Sequence, residues 1–305
     1  MSCQNLGRLM TNLNIQFLPK EIYSPLARAA KIVLLSYRLK RYPVDVTSLL
    51  KVIDSKAGMY PIKCPICNYE GVSELYTYGN PPRWDQKCPS CTSNQRNRLL
   101  YIALANLQIL SESSNILHFG PEQCLETWFR RNYKNYRTAD LLRANVDIKI
   151  DLEDTRLEGK SVDFIVCSHV LEHVNDRRAL TEIYRILTPH GALLAMVPII
   201  EGWDRTYENP SVLDEDGRWL HYGRTDHLRF YGSDFRNRVT SVGFKIAEYT
   251  AYGEEAVRYG LLRGEKVFIC KKGDGRPSSR LSHPQYLTAE ERPEALISKG
   301  EERHG

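Results

Sequence analysis

No stretch of the 305 residues reaches the roughly 18 consecutive apolar side chains that a membrane-spanning helix needs. The sequence also lacks the charged start, apolar stretch and small-residue cleavage site of a secretory signal, so a cytoplasmic location is expected. No segment repeats. Charge of one sign is not in large excess either: 42 basic against 37 acidic residues leave a net +5. The sequence pI of about 8.7 stays under the value of roughly 9 that marks a strong nucleic-acid footprint. Cysteine is sparse, and four of the eight, Cys3, Cys124, Cys167 and Cys270, are scattered in a way that suits no disulfide framework.

What is present is the composition of an ordinary globular protein, 42% hydrophobic and 26% charged, enough to bury a sizeable core. Proline, glycine and serine punctuation divides it into four regions: 1–57, 58–93, 94–270 and 271–305. The last mixes Gly, Pro, Ser and charges without apolar periodicity, so it is expected to stay disordered. The first holds a helix signal, with Ser24 as N-cap, Pro25 in the first turn and Pro43 closing the segment. Ile22, Leu26, Ala29, Ala30, Val33 and Tyr37 share its apolar side, and Arg28, Lys31 and Arg38 the other. A basic amphipathic segment over 22–41 can pack on a domain or make peripheral contact with an anionic membrane, and both stay open.

The remaining cysteines form two close pairs, Cys64-Pro-Ile-Cys67 and Cys88-Pro-Ser-Cys91, 20 residues apart. In a reducing compartment this is the spacing of a ribbon-type tetrahedral zinc site. Four thiolates leave no open coordination position, so the metal is expected to be structural. Free cysteines, or iron with the same ligands, are the alternatives.

From Asn94 to Cys270 short apolar runs alternate with amphipathic stretches, the pattern of a doubly wound parallel sheet. Seven strands are expected at 116–119, 136–139, 146–150, 164–167, 192–197, 244–249 and 267–270. Helices are expected at 96–107, 124–132, 177–187 and 233–242. The last two strands have no strong helix signal between them and are expected to pair antiparallel.

Residues 115–122 read NILHFGPE, a strand ending at a glycine before a helix, where a ligand can approach the backbone closely. Twenty residues on, Asp140 ends the next strand in YRTADL, the spacing at which an acidic side chain meets ribose hydroxyls. Asp151 and Leu152 follow a third run, and then comes SVDFIVCSHVLEHVNDRRALTEIYRILTPHGALLAMVP, ending at Pro198. Over 117–243 the chain resembles the class I S-adenosylmethionine-dependent methyltransferases, specifically the methyltransferase type 11 group, and more narrowly those members that begin with a CPxC pair.

The resemblance implies a Rossmann-like fold: a seven-stranded, mostly parallel α/β sheet with flanking helices, here with a small N-terminal zinc-binding module. It places Gly120 against the methionine part of S-adenosylmethionine, Asp140 on the ribose, Asp151 and Leu152 at the adenine, and Ser168 and His169 at the reacting edge. The group's first loop usually reads Asp-x-Gly-x-Gly. Here His118 stands at the acidic position and Glu122 at the second glycine, so the amino-acid end of the cofactor must be held differently. Glu122 could pair with the α-ammonium, point at substrate, or simply sit favourably in the first turn of a helix.

Methyl transfer from a sulfonium is an in-line displacement that needs positioning and, for a hydroxyl acceptor, a base. Histidine titrates in the right range. The candidates are His169, His173, His221 and His227, with His227 favoured because Asp226, Arg229 and Tyr231 cluster beside it in HYGRTDHLRFYGSDF. His173 and Glu172 could instead cap the following helix. The expected reaction is O-methylation of a small-molecule or glycan acceptor. The chain lacks the Asn/Asp-Pro-Pro-aromatic signature of base amino-methylation, having Ser168-His169-Val170 there. It also lacks a strand-end nucleophilic cysteine at Val197-Pro198-Ile199. RNA is the runner-up acceptor, since a zinc module precedes some ribosomal RNA methyltransferases, and a non-catalytic binding protein of the same fold is the third possibility.

Overall fold

The computed structural model describes residues 62–78, 83–107 and 110–272; the 1–57 region with its expected helix, and the tail beyond Lys272, lie outside them. Two antiparallel strand pairs come first, β1 (Ile62–Lys63) with β2 (Glu70–Gly71) and β3 (Glu74–Tyr78) with β4 (Arg83–Lys87). Helix α1 (Gln95–Leu107) leads into β5 (Ile116–Phe119), α2 (Gln123–Asn132), β6 (Tyr136–Asp140), β7 (Ile148–Lys149) and β8 (Val162–Ser168). After these come α3 (Asp176–Ile186), β9 (Leu187–Met196), β10 (Tyr207–Glu208), α4 (Glu215–Tyr222) and β11 (Arg229–Phe230). The described chain closes with α5 (Phe235–Ser241), β12 (Phe244–Thr250), α6 (Gly253–Arg258) and β13 (Lys266–Lys272).

Seven of the strands form one sheet in the order β12-β13-β9-β8-β5-β6-β7. The pairings from β9 to β7 are parallel, and β13 runs antiparallel to both β9 and β12. Side chains alternate across this sheet with period two, as extended backbone requires. Ile165 and Cys167 of β8 join a core with Ala179, Leu180 and Ile183 of α3 and Phe235 and Val239 of α5. Phe164 and Val166 face the other way, into a core with Leu99 and Ala103 of α1, Leu125 and Phe129 of α2 and Ala256 of α6. Helices therefore cover both faces, the arrangement that buries a parallel sheet.

Helix α3 shows why the local sequence folds as it does. Its buried residues Ala179, Leu180, Ile183 and Ile186 recur at spacings of one, three and three, which puts them on one side of a 3.6-residue helix. The Asn175 side chain caps the helix by accepting from the Arg178 N–H at 3.2 Å, so the cap is Asn175 and neither Glu172 nor His173. All seven expected strands and four expected helices form. The edge strand β7 is shorter than expected, and β9 starts at Leu187, through a register shift opposite Val162 and Phe164. Helices α4 and α6 were not foreseen because each buries a single residue, Tyr222 and Ala256, and so carries no apolar period. No helix among the described residues is long and apolar enough to cross a membrane.

Arg98, on α1, is fully buried and ties the cysteine-bearing segment to the sheet domain. Its guanidinium donates to Ser93 O at 2.8 Å, Tyr259 O at 2.7 Å and Gly260 O at 2.7 Å. Shortening it strands the carbonyls of Tyr259 and Gly260, while Ser93 O keeps the Cys88 N–H at 2.8 Å. An Arg98→Met protein is therefore expected to lose about 3 kcal/mol of unfolding free energy, since each buried acceptor left unpaired costs roughly 1–3 kcal/mol. Urea denaturation checks this, and a loss below about 1 kcal/mol contradicts it.

Candidate active site and cysteine cluster

Strand β5 has β6 on one side and β8 on the other, so the crossovers leave it in opposite directions and open a crevice at the carboxyl ends of these strands. Three segments meet there. Gly120 follows β5 with a left-handed φ of 61°, and a Cβ on it would lie 2.9 Å from Val170 Cγ2. Only glycine fits both the backbone conformation and the space. Asp140 ends β6, with Oδ1 accepting from the N–H groups of Leu142 at 2.8 Å and Arg143 at 2.9 Å. This folds the next turn and leaves Oδ2 with the Arg143 Nε at 3.7 Å. Ser168 ends β8, and its buried Oγ has no partner.

His118 does not face the crevice. It is fully buried, with Nε2 at 3.2 Å from Glu122 Oε2 and Nδ1 at 2.9 Å from Tyr136 Oη. Burial alone would raise the Glu122 carboxyl, but the His118 hydrogen bond and the charges of His118 and Arg96 outweigh it and hold the group below its ordinary range. An ionised Glu122 only accepts, so His118 Nε2 carries the proton of that hydrogen bond. Asn97 Nδ2 donates to the other Glu122 oxygen at 3.0 Å. The Glu122 side chain thus makes no cap to α2, although the residue occupies the N-cap position. Asp151 accepts from the Glu153 N–H at 2.8 Å, while Leu152 packs in the core at 4% exposure.

The segment after β8 carries the densest polar cluster. His169 adopts φ 54°, a left-handed conformation uncommon for a residue with a side chain, and its N–H donates to Met196 O at 2.8 Å. A short 3-10 turn over Leu171–His173 follows. Glu172 is completely buried; Oε1 lies 3.0 Å from His169 Nδ1 and Oε2 has no partner. Because a carboxylate only accepts, His169 donates through Nδ1 and leaves Nε2 unpartnered. His173 Nδ1 donates to Asp226 O at 3.0 Å, and its ring meets that of His227 edge-on with centroids 4.8 Å apart. His227 is 9% exposed, Nδ1 has no partner, and burial pushes its imidazole from the ordinary 6.5 to about 4.

Arg229 and Tyr231 hold this cluster from behind and do not face an acceptor. Tyr231 is wholly buried, donating to Leu171 O at 3.0 Å and hydrogen-bonded to Asp176 Oδ2 at 3.1 Å. Arg229 Nη1 donates to Leu171 O at 2.9 Å and Val174 O at 2.6 Å, and Nε to Glu208 at 2.9 Å. The polar cluster expected around His227 is thus divided between a His/Glu group and two supports. His221 lies apart, 2.5 Å from the Tyr207 hydroxyl. In sequence Glu172 reads as well as a helix cap as it does as part of a site. Its spacing of three from His169 in SHVLEH was the available signal.

The four expected cysteines do converge, with ligand atoms within 4.8 Å of one another. Cys64 and Cys91 Sγ are 3.6 Å apart, as are Cys67 and Cys88 Sγ. The two knuckles are near copies. Asn68 N–H donates to Cys64 O and Thr92 N–H to Cys88 O, each at 2.9 Å, and Asn68 and Thr92 share left-handed φ values of 59° and 62°.

Comparison with known proteins adds one finding of kind. Residues 125–195 match the family described as "Methyltransferase domain". The chain carries a methyltransferase domain and is an enzyme. Solved structures with a similar backbone include a SAM-dependent methyltransferase from Archaeoglobus fulgidus, 13% identical over 58% of this chain and 92% of that one, TM-score 0.39. Another, from Mesorhizobium loti, is 17% identical over 56% and 96%, TM-score 0.40. A putative sarcosine dimethylglycine methyltransferase from Galdieria sulphuraria is 12% identical over 61% and 91%, TM-score 0.39. No curated protein matches the sequence.

Glu122 gives the methyltransferase domain a pH signature. Its folded pKa is depressed, so the stability it contributes is present above the unfolded value of 4.5 and is lost as pH falls through the folded one. Wild type is expected to outlast Glu122→Gln in urea at pH 7, with the gap narrowing below about pH 4.5. A gap that is the same at pH 7 and pH 3.5 would show that Glu122 is not held ionised.

Proposed function

We propose that this enzyme uses S-adenosylmethionine to methylate an oxygen of a small-molecule or glycan acceptor. The observation that carries the cofactor assignment is the convergence of Gly120, Asp140 and Ser168 at the carboxyl ends of β5, β6 and β8. These residues fit the group. Gly120 lets the methionine part lie against the backbone, Asp140 Oδ2 accepts from ribose hydroxyls, and Asp151 marks the adenine side. Bound there, the cofactor supplies an activated methyl on a sulfonium. Glu122, ionised and still 15% exposed at its side chain, takes the α-ammonium that the missing first-loop acid would otherwise hold.

The proton of the acceptor hydroxyl goes to His169, not to His227. With its pKa near 4, His227 is neutral at physiological pH but too weak a base to draw a proton efficiently. His169 has the better geometry, a free Nε2 with a buried carboxylate behind Nδ1 that fixes the tautomer and stabilises the imidazolium. Its strained backbone is in keeping with such a role, since left-handed non-glycine residues cluster at functional sites. Exposed Trp203, Tyr207 and Trp219, on the segment between β9 and β11, offer flat apolar faces to an acceptor with a ring.

We assign structural zinc to Cys64, Cys67, Cys88 and Cys91. Zinc–thiolate bonds of about 2.3 Å in a tetrahedron put sulfurs about 3.8 Å apart, close to the two observed separations of 3.6 Å. The protein is expected to hold about one zinc per chain at this site, which a Cys64→Ser/Cys88→Ser variant loses. Elemental analysis of both proteins decides it, and equal zinc in the two would refute the assignment.

The cofactor reading is tested by calorimetry. S-adenosylmethionine is expected to bind the purified chain, and Asp140→Ala to weaken it by roughly 1.5–3 kcal/mol, the loss of a charge-assisted hydrogen bond. Absence of binding to wild type would sink the reading. With a methyl-labelled cofactor, label recovered on nitrogen or carbon instead of oxygen would sink the acceptor class alone.

A further inference from the structure

We propose that Glu172, His173 and His227 bind one divalent transition-metal cation beside His169, at the acceptor side of the methyl-transfer site. A carboxylate oxygen of Glu172 and one ring nitrogen of each histidine lie within 4.8 Å of one another. Two imidazoles and one carboxylate form a donor set that manganese, iron, cobalt and zinc accept, and three protein ligands leave positions open for an exogenous oxygen.

Three further features favour a cation at this spot. Glu172 is 0% exposed, yet no lysine or arginine pairs with it among the described residues, and its Oε2 meets no donor. A buried carboxylate in that condition costs several kcal/mol unless a positive charge completes it. His173 is already set as a ligand, because Nδ1 donates to the Asp226 carbonyl at 3.0 Å and so presents the lone pair of Nε2. Outer hydrogen bonds of this kind fix the tautomer of metal-bound histidines. Finally, His227 is nine-tenths buried with Nδ1 unpartnered, and its ring stands edge-on to that of His173 at 4.8 Å between centroids.

The three ligands are also held firmly. Leu228 N–H donates to Glu172 O at 2.9 Å, and Arg229 and Tyr231 grip the carbonyls of Leu171 and Val174 on either side of Glu172 and His173. The turn and the His227 loop are thereby locked together. His173 is 27% and Asp226 50% exposed at their side chains, which provides an entry path.

The role of the ion, though not its binding, rests on the methyl-transfer reading. An acceptor hydroxyl in an open position would be a better nucleophile because the cation favours its ionised form. The O–H proton passes to His169 Nε2, the new O–CH3 bond forms as the S–CH3 bond breaks, and the electron pair of the broken bond stays on sulfur, giving S-adenosylhomocysteine. An acceptor with two neighbouring hydroxyls could fill two open positions, which selects for a vicinal diol.

Manganese is the probe of choice, since it prefers oxygen and nitrogen donors and avoids the four thiolates. Electron paramagnetic resonance of the full chain titrated with Mn2+ is expected to show one site, and Glu172→Gln, His173→Gln and His227→Gln each to weaken it more than about tenfold. Mn2+ should also raise the melting temperature of wild type and not that of His173→Gln, whose partly exposed position leaves the fold intact. Mn2+ that fails to bind wild type, or binds His173→Gln and His227→Gln as tightly, overturns the site. Mn2+ binding without any S-adenosylmethionine binding supports the site and removes the methyl-transfer role; cofactor binding without Mn2+ binding does the reverse.

Discussion

The grip of Arg229 and Tyr231 on the turn after β8 is the contact on which the arrangement of the site depends. The guanidinium and hydroxyl both point at Leu171 O, and the guanidinium also reaches Val174 O, so two carbonyls of a non-helical turn are satisfied by a loop about 55 residues later. Buried carbonyls demand such partners. Glu208, bonded to both Arg229 and Arg238, and Asp176, bonded to Tyr231 and Arg238, surround the pair with compensating charge. Because the loop is fixed at this point, His227 stands against His173, and Glu172 is enclosed without a solvent-exposed face.

The other side of the crevice holds a buried charge secured by a neighbouring imidazole. At the position of His118 the related pattern carries an acid, and in this chain the ionised carboxylate on that side is Glu122, four residues further on. The imidazole of His118 then becomes the bridge between Glu122 and Tyr136. One buried histidine thus holds an ionised carboxylate near Gly120 without being exposed itself.

Much of the fold was legible because its period was. Strands β5 and β8 and the second half of β9 are buried on both faces and read as short apolar runs, and α3 carries a clean stripe of Ala179, Leu180, Ile183 and Ile186. Helices α4 and α6 bury too little to leave such a trace. For the site, spacing put Gly120 and Asp140 at one edge and the family resemblance added Ser168, since strand ends of a parallel sheet share one edge. It could not say which way a side chain turns. Arg229 and Tyr231 look in sequence like groups awaiting an acceptor, whereas they are enclosed supports. Glu172 looks like part of a helix start, whereas a completely buried carboxylate with a histidine at 3.0 Å emerges only from the folded turn.

One topological detail bears on how the chain is made. Strand β13, residues 266–272, lies between β9 and β12, so the last described strand is an interior strand of the sheet. On a ribosome, β9 and β12 are delivered earlier but cannot become neighbours of a finished sheet until residue 272 has cleared the exit tunnel. Until then β9 has one side unpaired, with Leu193, Leu194 and Ala195 among its residues. Unpaired apolar strand edges are adhesive, so the nascent chain needs either rapid completion or a chaperone during that interval.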